Sequence, residues 1–446
     1  MVQDLTEGKS GKVLLRFTLP LFISVVFQQF YNIADSLIAG RFAGEDALAA
    51  IGASYPVTNV FYAIAFGCNI GCSVVISQYF GAKNYSKVKT SIFTSLISGG
   101  ILSGILTLVG VILTPVLMQM INTPENIFEG AVAYMAIYIG GFIFLFVYNI
   151  ANGIFTSLGD SKTPLYFLIF SSVFNVVLDY VAVVCLHMGV TGVAWATFIA
   201  QGIAGILSVL TLLKRIKSLK TENKPQLFSF EIFKKICRIS IPSICQQSFV
   251  SVGNVFIQRL INSYGSSVIA GFSAAMKLNT FTINALYTFG NGVSSFTAQN
   301  VGAAKFNRIK EGMKYSSLMA IATGCVFAVA YFGFSKELLA LFMEGEKSAD
   351  AINAGAEFLK VVSLFYCFIG IKLVGDGILR GMGRMNLFMV ATFTDLILRV
   401  VLSYILSPFI GYIGIWVSWP IGWTVATVLS VIFYHCIMKK AVISKN

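Results

Sequence analysis

Residues that punctuate helices recur in this chain at an offset of about 221 positions, which constrains it to fold as two copies of one plan. Gln78, Gly81 and Ala82 return as Gln299, Gly302 and Ala303, and Lys89 returns as Lys310. Pro20 returns as Pro242, and Gly189 and Gly192 as Gly411 and Gly414, each one residue further on. The copies run in the same order and orientation. Parallel repeats in a membrane protein characteristically enclose a solute path at their pseudo-two-fold.

Composition supplies the solvent. Hydrophobic residues make up 57% of the chain, charged residues only 11%, and the mean hydropathy is +0.80, whereas a soluble domain carries about 25% charged residues. Apolar runs long enough to cross about 30 Å of hydrocarbon occur about six times per copy. They extend from Leu14–Ala39 to Val190–Leu213 in the first copy and from Ile236–Ile261 to Gly411–Met438 in the second. The expected fold is an all-α integral membrane protein of about twelve transmembrane helices in two pseudo-symmetric six-helix lobes. Residues 1–213 form the first lobe, 214–235 a polar tether containing Pro225, and 236–446 the second lobe.

The net charge of +13 would suit nucleic acid in a soluble protein; in a membrane protein its placement decides. Lys9, Lys12 and Arg16 precede the first span, Lys83, Lys87 and Lys89 follow the second, and Lys162 follows the fourth. The tether, the loops holding Lys305, Arg308, Lys310, Lys314, Arg380 and Arg384, and the end with Lys439, Lys440 and Lys445 complete the set. All fall on one side of the predicted topology, so both termini are expected in the cytoplasm of a multi-pass cell-membrane protein. The basic excess then meets anionic lipid headgroups, not nucleic acid. The first apolar run is too long for a cleavable signal and is expected to act as its own insertion signal.

No Cys-x-x-Cys pair occurs among the eight cysteines, so neither disulfides nor zinc is expected, and Cys68 and Cys72 read as small buried hydrophobes. Only two histidines exist, His187 and His435, on opposite sides of the predicted topology. An enzyme's nucleophile–base set is therefore not expected, nor is a cofactor.

A charge in hydrocarbon costs about 3 kcal/mol or more, so each intramembrane ionisable residue needs a partner or a purpose. In the second copy acids and bases stand at i, i+4: Lys372 with Asp376, Asp376 with Arg380, Asp395 with Arg399. In the first copy Asp35 and Asp179 have no basic residue at that spacing. Asp35 lies roughly 6 to 8 Å below the outer end of the first span at 1.5 Å per residue. Asp179 lies at similar depth on the fifth, with Asn175 one turn deeper on the same face, and Thr197 reaches that depth on the sixth. Two carboxylates, an amide carbonyl and a hydroxyl are hard ligands that suit Na⁺ or a shared proton. The alternative is a structural role, with both aspartates hydrogen-bonded to backbone or water.

At these residues the chain resembles the multidrug and toxic compound extrusion (MATE) family. The carrying stretches are Phe30-Tyr-Asn-Ile-Ala-Asp-Ser-Leu-Ile-Ala-Gly-Arg, Val75-Ile-Ser-Gln-Tyr-Phe-Gly-Ala, Gly153-Ile-Phe-Thr-Ser-Leu-Gly-Asp-Ser-Lys-Thr-Pro, Asn175-x-x-x-Asp179 and Gly377-Ile-Leu-Arg-Gly-Met-Gly. The resemblance spans essentially the whole chain. It implies two six-helix lobes in a V, alternating access, and export of small organic cations in exchange for H⁺ or Na⁺. It also implies a coupling site at Asp35, Asn175, Asp179 and Thr197, the four residues that depth selects. Another branch of the family uses acids on the seventh and tenth helices. Here the seventh offers Gln246, Gln247 and Val250, and Asp376 on the tenth lies deeper than that site requires.

Pro20 breaks backbone hydrogen bonding roughly 22 Å inward of Asp35. It is either a hinge that responds to ion binding at Asp35 or a fixed packing kink. Gln28, Tyr31, Asn32 and Asn152 are substrate-facing candidates, because polar groups in a span need a wet or paired place to point. The chain is expected to act as a monomer. The competing expectation is a carrier of a lipid-linked or anionic solute, drawn from Arg259, Lys277, Lys372 and Arg399 in the second copy.

Overall fold

A computed structural model describes residues 3–221, 223–342 and 349–443, and all regular structure among them is helical. Lys445 of the basic C-terminal cluster lies outside the described residues. The first repeat contributes α1 (Ser10–Ile38) with a π turn at Ala39–Ala43, α2 (Glu45–Gly81), α3 (Tyr85–Met120), α4 (Glu125–Gly140), α5 (Phe142–Ser157), α6 (Lys162–Tyr180) with a π turn at Val181–Cys185, and α7 (Gly189–Lys217). The second contributes α8 (Phe230–Asn262), α9 (Ser266–Gly302), α10 (Phe306–Ala340), α11 (Ala349–Ser363), α12 (Tyr366–Gly381), α13 (Met385–Ile410) and α14 (Ile413–Ile443).

Two spans are broken in the same place in each copy. Helices α4 and α5 meet at 44°, α11 and α12 at 56°, and each pair taken together is long and apolar enough for one crossing. With these pairs, ten crossings are long and apolar. Helices α8 and α9, 33 and 37 residues long, are as long but more polar, and they stand where α1 and α2 stand in the first repeat. Twelve crossings result. The repeat also reaches the turns: Gly44 (φ 96) and Gly265 (φ 92) open α2 and α9, and Lys83 (φ 56) and Ala304 (φ 55) close them in the left-handed region. Only glycine enters that region without a steric penalty, so Lys83 and Ala304 are held there by the turn that Gln-x-x-Gly-Ala makes after each helix.

Local sequence explains the helix starts. The Asn84 side chain accepts from Lys87 N at 3.1 Å to cap α3. Asp160 accepts from the backbone of Lys162 and Thr163 at the start of α6 and pairs with Arg215. The apolar stripe on α3, Ile101, Ile105, Leu108 and Ile112, is more than half exposed at a 4-3-4 spacing, the pattern of a lipid-facing surface.

The chain packs as two compact units. One contains Leu19–Ile244; the other contains Leu5–Thr18 and the chain from Cys245 onward. The division therefore falls inside α1 and α8, not in the tether at 214–235. Within the first unit, a Cβ on Gly71 would lie 2.0 Å from Ser240 Oγ on α8. Within the second, a Cβ on Gly292 would lie 2.1 Å from Thr18 Cγ2 on α1. Gly71 and Gly292 are one repeat apart, as are Thr18 and Ser240. Small residues at both positions let helix backbones meet closely, the usual packing device where lipid offers no hydrophobic drive.

Candidate functional site

The four residues selected by depth sit in the first unit, on α1, α6 and α7. Both helices that carry a carboxylate change winding just beyond it: α1 passes into its π turn four residues after Asp35, and α6 into its own two residues after Asp179. The first helix thus runs on past Ala39, where the sequence pattern ends it. Such π turns concentrate at functional sites because they re-aim side chains within a helix. Here the two turns pack on each other and on α7. An apolar cluster of Ala39, Tyr134, Val183, Val193 and Ala194 holds them in place.

Asp35 and Asp179 are brought carboxyl to carboxyl, within hydrogen-bonding reach. Asp179 is fully buried, and Asn175, one turn earlier on α6, is 2% exposed. Asp35 Oδ1, both Asp179 oxygens and both Asn175 amide atoms find no conventional partner among the described residues. Orphaned buried polar atoms are costly, and five of them converge here. A proton held between the carboxyls, or a small cation ligated by them and the Asn175 carbonyl, satisfies the set. Thr197 is buried on α7, which packs against α6 and the π turn of α1.

Of the four weaker candidates, Tyr31 joins the site, with Asp35 and Asp179 among its electrostatic neighbours. Gln28 and Asn32 are exposed on α1, where Asn32 Nδ2 donates to Gln29 Oε1 at 3.3 Å. Asn152 lies on α5 beside Tyr148. Sequence reasoning missed an aromatic wall on the same side. Tyr134 neighbours both carboxylates and stacks with Tyr138 at 6.1 Å. Tyr138 in turn neighbours Tyr62, which stacks on Phe66 at 5.9 Å. The i, i+4 spacing of Tyr134 with Tyr138 and of Tyr62 with Phe66 was the available signal.

The second unit pairs its buried acids, Asp376 and Asp395, each with a base one turn away. Lys372 Nζ stands 2.6 Å from Asp376 Oδ2 and donates to Thr392 Oγ1 at 3.3 Å, while Ser430 Oγ donates to Asp376 Oδ1 at 2.8 Å. Asp395 and Arg399 are 3.7 Å apart, and the Arg399 guanidinium lies 4.3 Å from the Trp419 ring centroid. The Asp376–Arg380 pair suggested by spacing does not form. Lys372 and Ser430 already occupy the Asp376 oxygens, and Arg380 turns to α9, donating to Tyr287 OH at 2.7 Å and Asn291 Oδ1 at 3.2 Å. Among the described residues no group of three or more His, Cys, Asp or Glu side chains is placed to hold a metal ion.

Twelve crossings from a parallel repeat, with an ionisable cluster inside one copy, define a polytopic membrane carrier. The MatE family model matches residues 20–181 and again 242–405, once per repeat, and the chain belongs to that family of multidrug efflux transporters. It is 29% identical over 433 residues to the probable multidrug resistance protein YpnP of Bacillus subtilis, covering 97% of this chain and 96% of that one. It is 22% identical to the FAD transporter of Shewanella oneidensis, covering 94% and 92%. Among solved structures, a MOP superfamily transporter from Pyrococcus furiosus superposes with a TM-score of 0.92 at 22% identity, covering 98% of each chain. A MATE transporter in an outward-facing conformation gives 0.91 at the same identity, covering 99% and 98%.

Proposed function

We propose that this transporter is a secondary active antiporter that exports small organic cations in exchange for H⁺ or Na⁺ bound at Asp35, Asn175, Asp179 and Thr197. The observation that carries the reading is the Asp35–Asp179 carboxyl pair, Asp179 buried and Asp35 half-buried, without a basic partner among the described residues. Adjacent carboxyls repel when both are ionised and lose hydration on burial, so either a proton or a cation relieves both stresses. An organic cation held against Tyr31, Tyr134 and Tyr138 would draw on the same negative charge and on the ring faces. Two cations competing for one charge pair cannot be held together at full strength, and that is the requirement for exchange. Pro20 is the proposed hinge of α1, responding to the state of Asp35.

The protein is placed in the cell membrane with both termini cytoplasmic, its basic loops against anionic lipid, acting as a monomer of two six-helix lobes that alternate access. An anionic cargo of the kind named for the Shewanella relative would need a free intramembrane cation. Of the four bases behind that reading, Lys372 and Arg399 are committed to Asp376 and Asp395, Lys277 lies over the Phe342 ring, and Arg259 is exposed on α8.

The test is uptake of a fluorescent organic cation into proteoliposomes, with a pH gradient and a Na⁺ gradient imposed separately, in wild type and Asp35→Asn. Wild type is expected to respond to at least one gradient, and Asp35→Asn to lose at least tenfold of that response. Full ion-driven transport by Asp35→Asn would defeat the reading.

A further inference from the structure

Helices α1 and α8 each begin in the compact unit opposite to the one in which they end, and the two beginnings are fastened by different chemistry. In the second unit, the segment ahead of α1 lies in a cage of α9 and α10 side chains. Leu5 N donates to Gln299 Oε1 at 2.9 Å, and Asn300 Nδ2 donates to Leu5 O at 3.3 Å. Arg308 donates to the carbonyls of Gly8 at 2.6 Å, Leu5 at 3.1 Å and Glu7 at 3.2 Å, and Lys305 Nζ to that of Thr6 at 2.9 Å. Leu5 is fully buried. Farther along, Gly11 meets the Tyr315 ring and Thr18 meets Gly292.

The equivalent segment ahead of α8 lies one repeat on, Leu227 for Leu5 and Ser229 for Glu7. In the first unit it is held by two neutral bonds to α3, Gln226 N to Thr90 Oγ1 at 3.0 Å and Ser229 N to Thr94 Oγ1 at 3.1 Å. Where the second copy has Asn300 and Arg308, the first has Tyr79 and Lys87. Lys87 Nζ and Lys235 Nζ both lie 5.6 Å from the Tyr79 ring centroid, and Lys235 Nζ also donates to Tyr79 OH at 3.0 Å, one exposed bond to α2. The partner of Lys235, Glu231, is a surface pair at 50% and 70% exposure, and such pairs contribute little. Charge-assisted bonds from a guanidinium to buried carbonyls are about twice as strong as neutral ones. The α8 segment meets its neighbour through two glycines, Gly67 against Ile244 and Gly71 against Ser240. Apart from the exposed Lys235–Tyr79 bond, that seam is held by packing, which a small separation forfeits.

We propose that the N-terminal third of α8 is a releasable clasp that parts from α2 and α3 during the transport cycle, while the N-terminal third of α1 stays fastened to α9 and α10. Pro20 and Pro242 lie within two residues of the points where each helix passes from one unit to the other. Each therefore has a weakened turn at the crossing, and the fastening, not the proline, decides which end moves. The inference rests on the alternating-access reading.

Hydrogen–deuterium exchange of the full protein in proteoliposomes tests it without a cargo. Amides of 230–244 are expected to exchange at least tenfold faster than those of 5–18, and Arg308→Ala is expected to accelerate 5–18 while leaving 230–244 unchanged. Equal rates, or faster exchange in 5–18, would overturn the proposal. Cross-linking adds function. In a background without native cysteines, a reducible link between Ser229→Cys and Thr94→Cys is expected to stop transport at least tenfold. A link between Gly11→Cys and Tyr315→Cys should leave it within about twofold, both proteins being active when reduced. The opposite pattern also overturns the proposal. Loss of gradient-driven transport in the reduced proteins would count against antiport itself, and the exchange comparison would still decide the clasp.

Discussion

Two carboxyls that face each other inside a membrane protein each forgo hydration, and ionising both adds their repulsion. Replacing Asp179 by Asn should therefore leave the melting temperature in detergent unchanged or raised, while ion-driven transport falls at least tenfold. A lowered melting temperature with transport retained would make the pair structural. The opposite result is expected at Lys372, which neutralises Asp376 at 2.6 Å. Lys372→Met strands a buried carboxylate and should cost about 3–5 kcal/mol of stability, and adding Asp376→Leu should restore most of it. Thermal unfolding of both variants checks this. Sequence spacing exposed Asp35 and Asp179 because neither has a base one turn away. It could not find the choice Asp376 makes between Lys372 and Arg380, because both stand at i±4 and the outcome depends on where Ser430, Tyr287 and Asn291 lie.

Helices here carry information in their ends and interruptions. The caps at Asn84 and Asp160 and the glycines that open α2 and α9 were readable locally, since each acts within four residues. The π turns after Asp35 and Asp179 were not, because the apolar pattern stops at Ala39 in the first span and runs straight through Val181–Cys185 in the fifth, and neither marks a change of winding. What holds them is the packing of one turn on the other and on α7. Close helix crossings behave in the same way. Gly292→Leu would drive a side chain into Thr18, whose Cγ2 would stand 2.1 Å from the new Cβ. The expected cost is about 1–3 kcal/mol, partly relieved by Thr18→Gly, as measured by thermal unfolding of the single and double variants.

At the level of the whole molecule, the duplication supplies one scaffold twice and divergence gives the copies different buried charges. If coupling resides in the first copy, the Lys372→Met and Asp376→Leu double variant should keep its dependence on a pH or Na⁺ gradient, and Asp35→Asn should lose it. Gradient-driven uptake in proteoliposomes decides between them. The sequence by itself determined the solvent, the twelve crossings, the repeat and the identity of the uncompensated carboxylates, because hydropathy, punctuation and i, i+4 spacing are local properties of a chain. The tertiary structure alone decided that Asp35 meets Asp179, that Tyr134 joins them, and that Leu5 docks on Gln299 while Ser229 docks on Thr94. Those meetings join residues on separate helices, some of them hundreds of positions apart. The last two follow from α1 and α8 each beginning in the opposite unit, an exchange that no local pattern encodes.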